Sequence, residues 1–134
     1  MDLIELTDLL ENAGLKYIID REHIKLYWKI EHNQQLELIL FLNDTKDWLI
    51  IITALEQMDN QTHMTDLLEY MLRLNYIKFG VKFSINEKKL IFCSIELPVN
   101  LVSSELVKNA IIKVIDASKL FLNTKNDLEK LKSD

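Results

Sequence analysis

Hydrophobic residues recur along the first half of the chain with two different spacings. Over residues 2–13 they stand three or four positions apart, which is typical of an amphipathic helix, and Gly14 stands where a left-handed cap would end it. From residue 23 onward, apolar and polar residues alternate, as they do in strands with one buried face. Polar turns divide this alternating region, which therefore predicts three strands over residues 23–31, 36–42 and 48–55.

The second half of the chain shows the same two spacings. They predict two further helices and two further strands, in the order helix, strand, strand, helix, over about residues 63–75, 79–85, 90–97 and 103–123. Asn75 is a residue that can close the first of these helices, and Ser103 is suited to cap the start of the second. The polar residues after 123 either extend the last helix or fray.

The order of these elements defines the predicted fold class. Short connections make the sheet antiparallel, because parallel strands need crossovers of about a dozen residues or more. We therefore predict an α+β fold, an antiparallel sheet of about five strands with three helices in the order α-β-β-β-α-β-β-α. A single domain over residues 1–123 contains all of these elements, and residues 124–134 form a polar C-terminal tail.

Charge and composition exclude several classes of partner. The chain has 134 residues, a formal net charge of -5 and no clustered basic stripe, so we expect no nucleic-acid partner. Its two glycines, Gly14 and Gly80, are too few for a glycine-rich phosphate loop. The longest apolar run, Trp48–Ile52, is far shorter than the roughly 20 residues of a membrane helix. The start of the sequence lacks a signal-peptide pattern, and the simplest prediction is a cytoplasmic protein without a membrane partner.

The residues that could carry catalysis or hold a metal stand apart from one another. His23, His32 and His63 are the three histidines, and none is paired with another at the spacing of a metal site. Cys93 is the single cysteine, and it stands in the middle of a predicted strand. It fits a small buried residue better than a nucleophile, which needs a nearby histidine and partial exposure. We therefore predict no enzymatic activity, no metal and no cofactor.

Three short motifs in the second half of the chain resemble those of one protein family. Leu67–Tyr76 looks like the family's helix with its Leu-x-x-Asn-type ending, Lys78–Val81 like its entry into the next strand, and Ile95–Pro98 like its strand end. Over about residues 65–122 the chain thus resembles the YbjN-like domain family of the type III secretion chaperone-like fold. The resemblance implies an antiparallel sheet with helices packed on it, and often a homodimer. Classical secretion chaperones bind extended segments of other proteins, so the resemblance also implies binding.

The second and third predicted strands carry more apolar residues than one buried face requires. If the leucines at the even positions 36–42 face the helices, then Ile39 and Phe41 face away, and Trp48–Ile52 is apolar on both faces. Either a helix of this chain covers that second face, or another chain does. Flexible methionines on the second helix suit adaptable contacts, although core packing is the simpler interpretation there. The candidate surface for a dimer or a partner comprises Ile39, Phe41, Trp48, Ile50, Ile52, Met64 and Met71.

Two functional hypotheses follow from these patterns. The first is a non-enzymatic protein-binding module, a chaperone-like or regulatory adaptor that acts as a homodimer and holds an extended or amphipathic protein segment. The second is a small-ligand sensor or regulatory domain whose sheet and helices enclose an apolar pocket near Trp28 and Trp48.

Overall fold

A computed structural model describes residues 1–31, 33–58, 64–77 and 80–133 of the chain, together with the side chains of these residues up to 128. The predictions that concern His32, His63 and the Lys78-Phe79 part of the strand-entry motif lie outside the described residues. Within them, the chain forms three α-helices, six strands and one short 3-10 helix. In chain order these are α1 (Leu3–Asn12), β1 (Ile18–Asp20), β2 (His23–Lys29), β3 (Gln35–Leu42), β4 (Trp48–Gln57), α2 (Met64–Ile77), β5 (Lys82–Ile85), β6 (Leu90–Pro98), the 3-10 helix (Val99–Leu101) and α3 (Ser104–Ser133).

All six strands belong to one antiparallel sheet with the order β1-β2-β3-β4-β6-β5. The predicted α+β class, the antiparallel sheet and the three helices are confirmed. The prediction missed β1, a three-residue strand whose side chains are all exposed, so that no alternation marks it in the sequence. It pairs with β2 across a tight turn in which Arg21 has a positive φ of 61°.

Alternate residues of the strands face α1 and α3 and form the inner face of the sheet. The strand register aligns them in rows across the sheet, for example Ile24 opposite Leu40, Leu40 opposite Ile51, and Ile51 opposite Ile95. The buried inner-face residues are Ile24, Leu26, Leu36, Leu38, Leu40, Leu49, Ile51, Thr53, Phe83, Ile91, Cys93, Ile95 and Leu97. The polar member, Thr53, is satisfied because its Oγ1 donates a hydrogen bond to the Glu37 carbonyl at 2.8 Å.

The helix ends follow local rules that the sequence displays. At the end of α1, Gly14 has a φ of 74°, and backbone bonds from Leu15 to Leu10 and from Gly14 to Glu11 complete a Schellman motif. At the start of α3, the Ser103 hydroxyl accepts a hydrogen bond from the Leu106 amide at 3.1 Å, as predicted for a capping serine.

The last helix does not end near residue 123 but continues through Ser133. Two contacts tie this extension to the rest of the fold. The Lys125 ammonium lies 2.7 Å from a Glu56 carboxylate oxygen on β4, and Leu128 packs against the core. Of the two alternatives that the sequence left open for the polar tail, the structure shows the helical extension, which an ion pair and one apolar side chain hold against the domain.

Asn75 does not close α2, which runs on to Ile77. Its side chain instead bonds to the edge strand β5 of the sheet. Its amide oxygen accepts a hydrogen bond from the Phe83 amide at 2.6 Å, and its amide nitrogen donates to the Phe83 carbonyl at 3.1 Å. Phe83 lies on β5, the edge strand next to β6. The side chain of Asn75 thus takes the place that a neighbouring strand would occupy, and it closes this edge to further pairing at Phe83.

Candidate functional site

The outer face of the sheet, turned away from α1 and α3, carries an apolar stripe across its centre. Cross-strand pairing places Phe41 opposite Ile50 and Ile39 opposite Ile52. These four side chains are half-buried by one another and by their neighbours. Trp48, at the end of the same row on β4, leaves 41% of its surface exposed. The sequence-based expectation that these residues share one face is therefore met, and the stripe remains open to solvent on that face.

Two further residues extend the stripe and were missed from the sequence. Ala54 lies on β4 opposite Phe92 of β6, and both are on the outer face. Phe92 alternates with the buried Ile91 and Cys93 in the sequence, so its placement could have been read from the period of β6. On the other side, the ring of Phe41 lies 5.2 Å from the ring of His23, which carries the stripe to β2.

Charged residues flank the stripe on both sides and pair with one another. On the β2 side, the Lys25 ammonium lies 3.0 Å from Asp20 and 3.9 Å from Glu37. The same two carboxylates, Asp20 above all, raise the pKa of Lys25 above its ordinary value. On the β6 side, Lys82 lies 3.1 Å from Glu96. An apolar centre with a polar rim is the anatomy of protein–protein interfaces.

A hydrogen-bonded turn between β3 and β4 fixes the position of Trp48. The Asn43 side-chain oxygen accepts bonds from the backbone amides of Asp47 and Trp48, both at 3.0 Å. The Asp47 carboxylate accepts a hydrogen bond from the Thr45 hydroxyl and another from the Asn43 amide at 2.8 Å. These two bonds, that from Thr45 first, lower the pKa of Asp47 below its ordinary value. The turn therefore fixes the backbone at Trp48, the first residue of β4.

Two of the predicted surface residues do not belong to the outer face. Met71 is 4% exposed and lies in the hydrophobic core, because it is on the side of α2 that carries Leu67 and Leu74. The proposal that it offers an adaptable contact surface is therefore wrong. Met64, at the start of α2, is partly buried and packs against the same core.

The two tryptophans lie on opposite faces of the sheet. Trp28 pairs with Leu36 on the inner face and packs against the core, whereas Trp48 shares the outer face with Ile50. The sheet itself stands between the two indoles, so they cannot line one pocket. The hypothesis of a ligand pocket near both tryptophans is not supported by this arrangement.

The remaining candidates for chemistry, Cys93 and His23, lie on opposite faces of the sheet. Cys93 is fully buried against α3, where its thiol lies 3.8 Å from the Val114 carbonyl oxygen, and burial raises the pKa of the thiol to about 12. A thiol with such a pKa is not a nucleophile near neutral pH. His23 lies on the outer face against Phe41. Within the described residues, no three His, Cys, Asp or Glu side chains come together as a metal site would require.

Comparison with solved structures decides the fold. YbjN from E. coli superimposes with a TM-score of 0.73 at 12% identity, covering 96% of this chain and 94% of that one. The chain has the type III secretion chaperone-like fold.

Two secretion complexes support this assignment of the chaperone-like fold. A chain of the HopA1–SchA chaperone–effector complex matches with a TM-score of 0.62 and 16% identity, over 85% of this chain and 87% of that one. The Yersinia pestis type III secretion chaperone SycH, solved with a stable fragment of YscM2, matches with a TM-score of 0.58 and 12% identity, over 87% and 95%. The TM-scores establish the chaperone-like fold. At identities this low they establish the fold alone, and the function has to be argued from the site.

The comparisons with family models and with curated proteins gave no match.

Among the helices that the structure describes, none combines the length and the apolar character that crossing a membrane requires.

Proposed function

We propose that this chain is a non-enzymatic protein-binding module, chaperone-like or regulatory, that works as a homodimer through the outer face of its sheet. The observation that carries the proposal is the open apolar stripe through Phe41 and Ile50 on an otherwise well-packed domain. Isolated exposed apolar residues are ordinary, but a contiguous stripe on the centre of a sheet is characteristic of an interaction surface.

The charges around the stripe favour a second copy as its occupant. The whole chain carries a net charge of -5, so two copies repel one another through most of their surface. The outer face differs, because Lys25 is paired with Asp20 and Glu37, and Lys82 is paired with Glu96. Cations at both sides of the stripe offset these carboxylates, and this reduces the repulsion between two copies that bury the stripe against each other.

The comparisons support the protein-binding part of the proposal in a general way. The HopA1–SchA complex is described as a chaperone–effector complex, and SycH was solved with a fragment of another protein. We infer that this chain likewise acts by holding a protein partner in a soluble, cytoplasmic setting. The small-ligand alternative receives no support from the placement of its two tryptophans on opposite faces.

The dimer is tested by placing a charge at the centre of the stripe. Analytical ultracentrifugation at micromolar concentration should give a dimer for the wild type and a monomer for Ile50→Glu, because each copy would bury an unpaired carboxylate in the interface. Trp48→Glu is a second variant that is safer for folding, since Trp48 is 41% exposed. Circular dichroism checks that both variants stay folded.

Leu120→Glu is the matched control. The exposed fraction of Leu120, 38%, is similar to that of Trp48. Leu120, however, lies on α3, on the opposite side of the sheet. The control should remain dimeric. A wild type that stays monomeric at 100-fold higher concentration, or a Leu120→Glu variant that dissociates as Ile50→Glu does, would contradict the proposal.

A further inference from the structure

A groove of about 420 Å³ opens at one end of the sheet, away from the outer face. Its walls are the first turn of α1, the turn between β1 and β2, and the turn between β3 and β4. Leu3, Ile4, Leu6 and Leu42 form its apolar lining, and Ile4 leaves 71% of its surface exposed. An exposed isoleucine in a concave apolar lining is a place where a partner's side chain gains burial on binding.

Carboxylates dominate the rim of this groove. Asp2, Glu22 and Asp44 contribute three negative charges, and Lys46 contributes one positive charge. Asp2 caps α1 by accepting a hydrogen bond from the Glu5 amide at 2.9 Å, so it already compensates the positive end of the helix dipole. The remaining charges leave an excess of negative potential over the apolar lining.

Unlike the paired carboxylates of the outer face, Glu22 and Asp44 at the rim of the groove have no cation of the described residues within ion-pair distance. Asp20, Glu37 and Glu96 all have a lysine ammonium within 4 Å. Over the part of the chain that the structure describes, neither Glu22 nor Asp44 takes part in an ion pair or a side-chain hydrogen bond. The two side chains are exposed and come from two different turns that border the same groove. They are therefore available to a cation that a ligand brings.

We propose that this groove binds a segment of a partner protein in which an aliphatic or aromatic side chain is flanked by lysine or arginine. The apolar side chain would cover Ile4 and Leu42, and the flanking cations would lie beside Glu22 and Asp44. The proposal rests on the proposed function, because it adds the chemistry of the segment that a protein-binding module would hold. It uses a surface separate from the outer face, so a dimer can hold one segment on each copy.

The shape and the charge of the groove favour a protein segment over a small molecule. Small-molecule sites enclose most of their ligand and are mostly apolar. Here four charged side chains border the groove, and Ile4 is largely open to water. A segment of a protein chain suits a groove with an open apolar floor and a charged border. It places one apolar side chain on the floor and keeps its charged neighbours at the solvated rim.

The test is a selection from a library of random 12-residue peptides displayed on phage, with the full-length chain as bait. Enriched peptides should carry lysine or arginine on both sides of an apolar residue. A fluorescein-labelled synthetic peptide of the enriched sequence is then titrated by fluorescence anisotropy. Its Kd should rise at least tenfold in the double variant Glu22→Lys, Asp44→Lys, and also in Ile4→Asp, whose aspartate is tolerated in the first turn of a helix.

Leu72→Asp is the matched control, because Leu72 is 66% exposed on α2 and does not line the groove. Its Kd should stay within twofold of the wild type. The proposal is overturned if no peptide is enriched, if the enriched peptides are neutral or acidic, or if the Kd is unchanged in both groove variants. It is also overturned if Ile4→Asp dissociates the dimer, since the groove would then hold a second copy.

Sedimentation of the same samples separates this proposal from the proposed dimer. A monomeric wild type that binds the basic peptide leaves the groove standing and refutes the dimer through the outer face. A dimeric wild type that enriches no peptide refutes the groove alone.

Discussion

Replacing Asn75 by alanine tests whether a single side chain closes the edge of the sheet. In the native structure its amide group bonds both the amide and the carbonyl of Phe83, at 2.6 and 3.1 Å. Alanine removes both partners and leaves two backbone groups of β5 without their bonds. The same change opens the outer edge of β5 to another strand.

The expected cost follows from the number of groups left unpaired. A buried donor or acceptor that loses its partner costs about 1–3 kcal/mol. The Phe83 groups are only partly buried, so water replaces part of each bond, and for the pair we expect a loss of about 2–3 kcal/mol in the free energy of unfolding. For a domain of this size that corresponds to a fall in Tm of roughly 6–15 °C.

Urea unfolding followed by tryptophan fluorescence measures this loss, and hydrogen exchange of the Phe83 amide locates it. Asn75→Asp keeps the acceptor for the Phe83 amide but lacks the donor for the carbonyl, so it should also destabilise the domain. Arg73→Ala is the matched control on the same helix. Arg73 and its partner Glu69 are 72% and 59% exposed, and the loss should be less than about 0.5 kcal/mol.

The edge-closing role is refuted if Asn75→Ala loses no more stability than Arg73→Ala. It is equally refuted if the Phe83 amide exchanges at the wild-type rate in the alanine variant. A loss of stability without faster exchange at Phe83 would mean that Asn75 acts through α2 rather than through the sheet.

Three further predictions concern the thiol, the β3–β4 turn and the end of α3. Because burial raises the pKa of Cys93 to about 12, a thiol reagent at pH 8 should label it only as fast as the protein unfolds. Rapid labelling of the native protein would contradict this. The contribution of Cys93 to stability should also decline as pH rises above 9.0, the ordinary pKa of a thiol, because the unfolded thiol then ionises and the folded one does not. Since hydrogen bonds lower the pKa of Asp47 in the folded state, the stability it contributes is present above its ordinary value of 3.8 and is lost as pH falls below it. Asp47→Asn should therefore flatten the acid limb of a stability–pH curve measured by circular dichroism, and an unaltered limb would argue against the turn network. Truncation after Asn123 removes the Lys125–Glu56 ion pair and the packing of Leu128, and should cost about 1–3 kcal/mol in urea unfolding; an unchanged midpoint would restore residues 1–123 as a sufficient domain.

Periodicity predicted the body of this fold because each long element has one face in the core. The alternation through Leu36 to Leu42 fixed which residues of β3 face the helices, and the strand register follows it. The stripe on the outer face was predictable for the same reason, since an apolar residue at an odd position of β3 has to face away from the core.

The elements that escaped prediction lack such a face. The strand β1 is three residues long and fully exposed, and pairing with β2 rather than burial defines it. The extension of α3 was one of two open alternatives, and what favours it is an ion pair between Lys125 and Glu56, two residues far apart in the sequence. Asn75 looked like a helix end because asparagine often is one, but its amide is used across the fold to bond Phe83. Contacts that depend on a single side chain or on strand pairing alone leave no periodic signal.

The groove at the end of the sheet was not predictable either. Its walls come from the first turn of α1 and from two turns between strands, three segments that lie far apart in the sequence. Only the topology brings Ile4, Glu22 and Asp44 to one place. Met71 shows that residue type alone does not predict a surface. Methionine suits adaptable contact surfaces, but here it fills the core.

The position of β6 between β4 and β5 has a consequence for the chain as it is being made. β4 pairs with β6, so that Trp48 lies opposite Pro98 and Gln57 opposite Leu90. At roughly 5–20 residues per second, β4 leaves the ribosome about 2–8 s before its partner strand. During that interval its apolar residues and unpaired backbone are accessible to other nascent chains. Synthesis rate and ribosome spacing should therefore affect the yield of this protein more than they affect a simple meander, whose strands pair as soon as they emerge.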